Sequence, residues 1–465
     1  MKNRNKPFFY DEKRIPIGKT ILMILIAGCI LIFAGYQVPG IRQVIAEPLF
    51  AAGSFFRDGV REFVAMTRMY HEAEKPKQTY TPLELPDKDV LFAESLENLS
   101  AITQADPLAD LRQTPTPSEY ERVAAWEYLD PNLNYAISSG TKPAEEITNI
   151  QLIPPVFEHA DLNNDGAAIL SALMRYWGIV ENQYHIAAQI HPDSRDPFIS
   201  YSDMESYITA HYPDYLTINR DNGDRDLLIG LLNKGIPAIL LVQNSSPQPF
   251  WLNDDHFTGQ YYLILGYDAQ NKIFSYQDTR KGNTLEISEE ALLADWYPFQ
   301  RSYILIYPAE QDESVREALS ENYYEELNIQ RALTKFKTDS EMLPDNAYAQ
   351  YNLGTALHKY GDENGAWEAF TLARELSLPQ RFLNYRDEML ETALILGYAD
   401  DIIEITEELY KQNSHDEILT LYRGWAAILQ GDIEKGSELF NRAEKINPNS
   451  ELVLYAIKYK ETMIN

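Results

Sequence analysis

The 465 residues of this chain are enough for two or three domains, because single domains commonly hold about 100 to 200 residues. Lysine and arginine total 40 against 70 acidic residues, so the net charge is −30 and the surface repels nucleic-acid backbones. A single cysteine, Cys29, excludes intrachain disulfides, thiolate zinc sites and iron–sulfur clusters.

The amino-terminal region predicts a membrane anchor. Residues 1–19 hold six basic and two acidic side chains, a net charge of +4, and residues 21–36 carry no charge. Apolar residues on both sides extend this stretch to residues 15–38, within which Lys19 can snorkel to the membrane surface, and at about 1.5 Å per helical residue the extended segment can cross a bilayer. The positive flank predicts a cytoplasmic tail over residues 1–14 and an extracytoplasmic location for everything after the anchor in the cell membrane.

Two other interpretations of this segment stay open. Residues 25–29 (LIAGC) resemble a lipoprotein cleavage box in which Cys29 is lipidated, and a simple cleaved signal peptide is the third possibility. An uncleaved anchor is favoured because the apolar run continues through residues 30–33, whereas lipoproteins usually become polar after their cysteine. All three interpretations place the bulk of the chain beyond the membrane.

Residues 39–150 read as a stalk or linker with short helices. Ten of the 25 prolines fall between Pro76 and Pro155, which favours extended backbone. Residues 55–70 place apolar side chains near helical spacing and predict an amphipathic helix, which lies either at the membrane surface or against the next domain.

Residues 151–309 predict an α+β domain. Two apolar helices are expected at residues 166–177 and 226–233. Four runs rich in β-branched and aromatic residues then predict strands. These runs begin at Pro237, Tyr261, Lys272 and Ser302. A buried helix followed by a set of antiparallel strands is typical of an α+β layout.

Three segments of this domain, beginning NNDGAAIL, NGDRDLLIG and GQYYLILGYD, occur in an order and at separations that resemble the papain-like cysteine peptidases numbered family 39, the bacteriocin-processing type. The resemblance implies a papain-like fold over about 150 residues. It also assigns the nucleophile position to Asp165, the general-base position to Gln260 and the orienting carboxylate to Asp278. Only the last of these residue types is the one that the family uses.

The chemistry of that family needs a thiolate, an imidazole, a carboxylate and a glutamine that donates to the oxyanion. The only thiol of this chain lies in the predicted anchor, and the position of the oxyanion glutamine holds His159 or Ala160. Losing one member of such a unit costs on the order of 10⁶ in turnover, so activity by this mechanism is expected to be negligible. We expect Asp165 to cap its helix, and Gln260 to donate to both Asp165 and Asp278.

A hydrolase with a rearranged site is the alternative, using Asp165, Asp278 or His256. A calcium loop starting at Asp161 is disfavoured because its twelfth position is Ala172 rather than a glutamate. The sequence has neither a GxxxxGK phosphate loop nor a GxSxG elbow, so nucleotide chemistry and serine hydrolysis have no motif support. No metal and no cofactor is expected.

Residues 313–465 predict an all-α solenoid. The segment from Asn346 resembles the tetratricopeptide consensus at Leu353, Gly354, Ala366, Phe370 and Ala373, and related residues recur 34 residues before and 70 residues after it. This spacing predicts four repeats over residues 313–450 and a capping helix over residues 451–463. Small residues are needed where the paired helices cross, and the phenylalanine fills the wedge between neighbouring pairs.

Repeat arrays of this kind commonly hold a peptide or helix in a concave groove. Asn352, Gly354, Trp367 and Arg423 are the candidate binding residues of this groove. The sequence therefore predicts a membrane-anchored, extracytoplasmic and non-catalytic protein. It is expected to hold polypeptide partners in a degenerate peptidase cleft and a repeat groove, and to bind neither nucleic acid nor nucleotide.

Overall fold

A computed structural model describes residues 149–245 and 256–464 of the chain. Within these residues an α+β region is followed by a stack of helices, and both belong to one compact unit except for His256. The predicted tail and anchor and nearly all of the stalk lie outside the described residues. Among the helices of the described part, none combines the length and the apolar character that a bilayer crossing needs.

The α+β region is built on a seven-stranded antiparallel sheet. Its strands are β1 (Ile150–Gln151), β2 (Tyr215–Arg220), β3 (Ala238–Ser245), β4 (Phe257–Asp268), β5 (Ile273–Asp278), β6 (Gly282–Ser288) and β7 (Tyr303–Pro308). They lie in the order β2-β7-β3-β4-β5-β6, and β1 pairs with the far end of β4. The four strands predicted from apolar runs are confirmed as β3, β4, β5 and β7.

The helices of this region are α1 (Asp165–Tyr176), α2 (Gln183–Ile190), α3 (Tyr201–His211), α4 (Arg225–Asn233) and α5 (Glu289–Trp296). The central strands are apolar at successive residues because helices cover both faces of the sheet. Leu240 and Tyr262 share one core with α4. Their neighbours Ile239 and Tyr261 are also buried, and the Tyr201 hydroxyl of α3 lies 3.3 Å from the carbonyl of Ile239.

One helix of the predicted first repeat packs on the sheet instead of on other repeat helices. α6 (Asp312–Leu319) buries Val315 and Leu319 in the core that it shares with α4. These two residues are one helical turn apart, so they form a single apolar face that the sheet core covers. The carboxyl-terminal helices begin after a short 3₁₀ turn at Ser320–Tyr323.

Eight helices of the described residues form the stack. They are α7 (Glu325–Met342), α8 (Ala347–Tyr360), α9 (Glu363–Glu375), α10 (Glu388–Ile395), α11 (Ala399–Gln412), α12 (Glu417–Leu429), α13 (Ile433–Ile446) and α14 (Glu451–Ile464). Each packs mainly on its neighbours in sequence, and a 3₁₀ segment, Gln380–Asn384, joins α9 to α10. The expected order of an α+β domain followed by an all-α array is confirmed.

Close helix crossings in the stack explain its repeated glycines. A Cβ atom on Gly354 would lie 2.6 Å from the ring of Phe370, and one on Gly424 would lie 2.7 Å from the ring of Phe440. Both distances are shorter than real carbon contacts, so a methyl group at either position would force the ring or the helix to shift. The predicted need for a small residue where paired helices cross is therefore confirmed at these two positions.

Candidate functional site

The nucleophile position of the resemblance lies at the start of α1. Asn164 is the N-cap residue and Asp165 is the first residue of the helix, so the predicted capping role of Asp165 is wrong. The Asp165 carboxylate is buried, and its Oδ1 lies 3.5 Å from Nη2 of Arg280. This position suits a carboxylate because the amino-terminal end of a helix carries partial positive charge.

The loop before α1 is fixed by Gln183, which the sequence analysis did not identify. Gln183 is buried in α2, and its Oε1 accepts from the backbone N–H of Asp161 and from Nδ2 of Asn164, both at 2.8 Å. Its Nε2 donates to the carbonyl of His159 at 2.8 Å. These bonds determine where the helix starts. No local motif marks Gln183, because its role depends on where α2 packs.

Gln260 and Asp278 are joined on adjacent strands. Gln260, in β4, donates from Nε2 to Oδ1 of Asp278 at the end of β5, and accepts from Nδ2 of Asn244 in β3. One half of the predicted bridge is therefore present. The other half is wrong, since Gln260 and Asp165 share no hydrogen bond although both lie in the described residues. Asp165 is paired with Arg280 instead.

The turn after β5 connects the two pairs. Oδ1 of Asp278 also accepts from the backbone N–H of Arg280 at 2.8 Å and of Lys281 at 3.3 Å. The three family positions therefore belong to one short network that runs from Gln260 through Asp278 and Arg280 to Asp165. Residues separated by 95 and 18 positions in sequence are brought together here by the fold.

The charged side chains of this network differ in how far they are exposed to solvent. Burial raises the pKa of the Asp278 carboxyl, and its Oδ2 lies 3.8 Å from Nζ of Lys281. The neighbouring Asp165 carboxylate raises the pKa of the Arg280 guanidinium. The Arg280 side chain is 38% exposed, whereas Asp165 is buried, so the site presents a cation to solvent above buried carboxylates.

The arrangement lacks the parts of a thiol peptidase. It offers a carboxylate, an amide and a second carboxylate where the family uses a thiol, an imidazole and a carboxylate. A glutamine amide cannot accept a proton from a nucleophile near neutral pH. His256, the histidine of the alternative interpretation, directly precedes β4 and has a left-handed backbone with φ of 60°. The described residues contain no group of acidic, histidine or cysteine side chains suited to a metal ion.

The helical stack covers the beginning of the strand that carries Gln260. The ring of Tyr385, just after the 3₁₀ segment, would lie 2.8 Å from a Cβ atom on Gly259. The Tyr385 ring also contacts Phe198 edge-on with centroids 4.9 Å apart. Its hydroxyl lies 3.2 Å from Oγ1 of Thr258. One wall of the candidate site is therefore supplied by the stack.

Asn352, a candidate groove residue, is fully buried in an internal contact. Its Nδ2 donates to the carbonyl of Tyr297 at 2.9 Å, and its Oδ1 accepts from Nε2 of Gln300 at 3.0 Å. Gln300 also donates to Thr355 at 3.2 Å. The face of α8 that the repeat pattern assigns to a ligand is thus occupied by a turn of the α+β region.

The other candidate groove residues also make internal contacts. Gly354 lies at the α8–α9 crossing, and the ring of Trp367 packs on Tyr398 with centroids 5.2 Å apart. Arg423 donates to Thr406 at 3.0 Å and to Glu407 at 3.0 Å, which joins α12 to α11. These three residues hold the helices of the stack together.

Further contacts join the two regions toward the end of the stack. They run from Asn413 Nδ2 to the Arg195 carbonyl at 2.8 Å, from His415 Nδ1 to Asp193 Oδ2 at 2.9 Å and from Asn447 Nδ2 to the Ile190 carbonyl at 2.9 Å. At the other end, Lys359 pairs with Asp221. The side of the stack that faces the sheet region is therefore engaged at several points along its length.

Compared with protein-family models and with curated protein sequences, the chain matches none.

Proposed function

We propose that this protein is a membrane-anchored, extracytoplasmic protein that binds polypeptide at a peptidase-like but non-catalytic site. One observation carries the proposal. The positions corresponding to nucleophile, base and orienting carboxylate belong to one connected network, and none of its side chains can form a thiolate or exchange a proton as an imidazole does. The papain-like character of the sheet region and the tetratricopeptide character of the stack are parts of this proposal.

The α+β site supports ligand binding better than the repeat groove does. Asn352 is used internally, so a peptide could enter that part of the groove only by displacing the turn at Tyr297–Phe299. At the sheet region, the partly exposed Arg280 offers guanidinium donors that suit the carbonyl or carboxylate oxygens of an extended polypeptide. Binding is therefore assigned to the surface around Asp165 and Arg280.

Peptide capture tests the proposal directly. Full-length protein in lipid nanodiscs is incubated with an immobilised peptide library, beside the variants Arg280→Gln and Lys435→Gln. The two variants change the net charge equally, and Lys435 lies in α13, outside the candidate site. We expect capture of a peptide subset that falls at least tenfold in Arg280→Gln and is unchanged in Lys435→Gln. Equal capture by all three proteins would contradict the assignment.

Cleavage is measured in the same experiment with internally quenched peptides. We expect none in the presence or absence of thiol-directed and chelating inhibitors, because the site has no thiol. Turnover that Asp278→Asn abolishes would replace the proposal with the alternative of a carboxylate-dependent hydrolase.

A further inference from the structure

One side of the sheet ends at β2, whose outer edge pairs with no strand of the described residues. β2 is the first strand in the order β2-β7-β3-β4-β5-β6, and its register with β7 is regular along its six residues. The strand at the other edge, β6, pairs with β5 through an irregular register, which distorts that edge. Sheet edges are usually protected by bulges, prolines or lysines, and β2 (YLTINR) has none of these. A regular edge without protection is suited to pairing with another strand.

The hydrogen bonds with β7 show which backbone groups of β2 point outward. Opposed residues of an antiparallel pair alternate between those that exchange hydrogen bonds and those whose N–H and C=O groups point away from each other. The N–H of Ala309 donates to the carbonyl of Asp214 at 2.9 Å, directly before the first opposed pair of the two strands. The alternation therefore turns the backbone groups of Tyr215, Thr217 and Asn219 away from β7.

Two of these six outward groups are satisfied within the chain. The N–H of Tyr215 donates to the carbonyl of Tyr212 at 2.9 Å, and the carbonyl of Asn219 accepts from Nη1 of Arg220 at 2.8 Å. The other four groups have no hydrogen-bond partner among the described residues. They are the carbonyl of Tyr215, the N–H and carbonyl of Thr217, and the N–H of Asn219. A partner strand must therefore supply two donors and two acceptors in a fixed order.

We propose that β2 pairs antiparallel with β2 of a second copy of this chain, with Thr217 opposite Thr217 of the second copy. In this register the two Thr217 residues exchange both of their hydrogen bonds, and the Asn219 N–H of each copy donates to the Tyr215 carbonyl of the other. All four unpaired groups of each copy are used. The two groups that are already satisfied, the Tyr215 N–H and the Asn219 carbonyl, face each other.

Neighbouring registers use fewer of these groups. Moving one copy by two residues places Thr217 opposite Tyr215 or Asn219 of the second copy, each of which has one satisfied group. The number of hydrogen bonds between the two strands then falls from four to two. The pattern of free and satisfied groups on β2 thus fits a second β2 in one register.

The side chains that this register brings together are also complementary. Leu216, which is 37% exposed, lies opposite Ile218 of the second copy, a member of the sheet core, so exposed apolar surface becomes covered. The exposed Asp214 lies opposite Arg220 of the second copy. In the described residues the Arg220 guanidinium donates to backbone carbonyls rather than to a carboxylate. Opposed charges of opposite sign and opposed threonines both stabilise strand pairs.

Disulfide formation tests the register, because Cys29 is the only native cysteine. In full-length Cys29→Ala protein, Thr217→Cys places two thiols on opposed residues whose Cα atoms are about 5.5 Å apart, a distance that a disulfide spans. Leu216→Cys is the control, since this position is more exposed but lies two residues out of line with its counterpart, about 7 Å along the strand. We expect at least tenfold more covalent dimer from Thr217→Cys. Equal yields, or a greater yield from Leu216→Cys, would overturn the proposal.

Analytical ultracentrifugation of the full-length protein in detergent measures the association itself. It is run at about 150 mM salt, which screens the repulsion between two chains of net charge −30. Thr217→Pro removes an outward N–H and no hydrogen bond to β7, and Asp214→Lys places like charges opposite each other. We expect each change to weaken dimerisation at least tenfold. Glu438→Lys, the same charge change at an exposed position of α13, should leave it unchanged.

Thermal unfolding shows whether Thr217→Pro is folded, and Asp214→Lys alone decides the test if it is not. A protein that is monomeric at every concentration overturns the proposal. Dimers that Asp214→Lys does not weaken also overturn it, because the association then lies elsewhere on the chain.

Discussion

Asp278 is a fully buried acceptor of the candidate site, and it accepts from a side-chain amide and two backbone N–H groups. A buried acceptor that serves three donors fixes both the end of β5 and the turn after it. Sequence reasoning identified Asp278 from the resemblance, but the donors at Arg280 and Lys281 depend on the shape of that turn.

The first prediction concerns this acceptor. Asp278→Ala removes the acceptor of the buried Gln260 amide and of the Arg280 backbone N–H, and should lower the free energy of unfolding by about 2–4 kcal/mol. Asp278→Asn keeps one carbonyl oxygen in place and should cost about 1 kcal/mol. Urea denaturation monitored by circular dichroism measures both values. Equal losses in the two variants would show that the hydrogen bonds do not matter.

Gln183 and Arg280 show what residue-level reasoning missed. Neither belongs to a motif, and each acts through a partner that is distant in sequence: Gln183 through the loop before α1, and Arg280 through Asp165. A resemblance indicates positions that a family uses, but it does not indicate the residues that replace lost contacts.

At the scale of helices, the crossing of α8 and α9 allows a matched comparison of two glycines. Gly354→Ala forces a methyl group to within 2.6 Å of Phe370 and should destabilise the protein by about 1–3 kcal/mol. Gly230→Ala, inside α4, meets only ordinary contacts, the nearest at 3.7 Å, and should be neutral or stabilise by up to about 1 kcal/mol. Thermal unfolding distinguishes the two, and destabilisation by both would contradict the crossing argument.

A partly buried ion cluster joins three helices of the stack. His358 of α8 lies 2.9 Å from Glu363 of α9 and 3.3 Å from Glu391 of α10. Burial alone would lower the pKa of His358, but the two glutamates outweigh it and raise that pKa to about 10. Stability from this histidine is therefore complete below pH of about 6.5 and is lost as the pH rises toward 10.

The resulting prediction is that His358→Gln costs on the order of 2–4 kcal/mol at pH 6 and progressively less as the pH rises toward 10. The measurement is the difference in urea unfolding free energy between wild type and variant at pH 6, 8 and 10. Lys335→Gln, which removes a more exposed ion pair with Asp339, is the control. Its loss of unfolding free energy should be smaller and should change less with pH. A cost that stays constant with pH would contradict the titration argument.

At the scale of the whole molecule, buried carboxylates lie where the stack meets the sheet region. Burial raises the pKa of Glu417 in α12 to about 8, and the Asp203 carboxylate of α3 adds to this rise. Burial also raises the pKa values of Asp203 and Asp416 to about 6 each. The pKa of Asp196 is raised well above its ordinary value for the same reason. Asn447 bridges the two regions by donating to Glu417 at 2.8 Å and to the Ile190 carbonyl.

This junction predicts that the protein becomes less stable as the pH rises from about 4 to about 8. In the folded state these carboxyls keep protons that the unfolded chain releases near pH 4. Their contribution to the free energy of unfolding is therefore complete at low pH and declines as the pH rises, until the buried carboxyls ionise. Glu417→Gln should flatten the decline and be at least about 1 kcal/mol more stable than wild type at pH 8. Glu438→Gln, an exposed control in α13, should match wild type, and a steeper decline in Glu417→Gln would contradict the prediction.

The amino-acid sequence by itself determined the absence of a sulfur nucleophile outside the predicted anchor, because a residue count needs no structure. It also determined the order of an α+β region and a helical array, and the need for small residues at the helix crossings, because these follow from periodicity and repeat spacing. The sequence did not predict the half-exposed strands β2 and β6, because their runs of apolar residues are short and interrupted by polar residues.

Only the tertiary structure decided which side chains meet across long stretches of sequence. It paired Asp165 with Arg280, joined Gln260 to Asp278, and turned Asn352 inward against the carbonyl of Tyr297. The physical reason is that these contacts depend on how α1, the sheet and the stack pack together. Local sequence sets each element and its apolar face, whereas the partners of the buried polar groups are set by the docking of elements far apart in the chain.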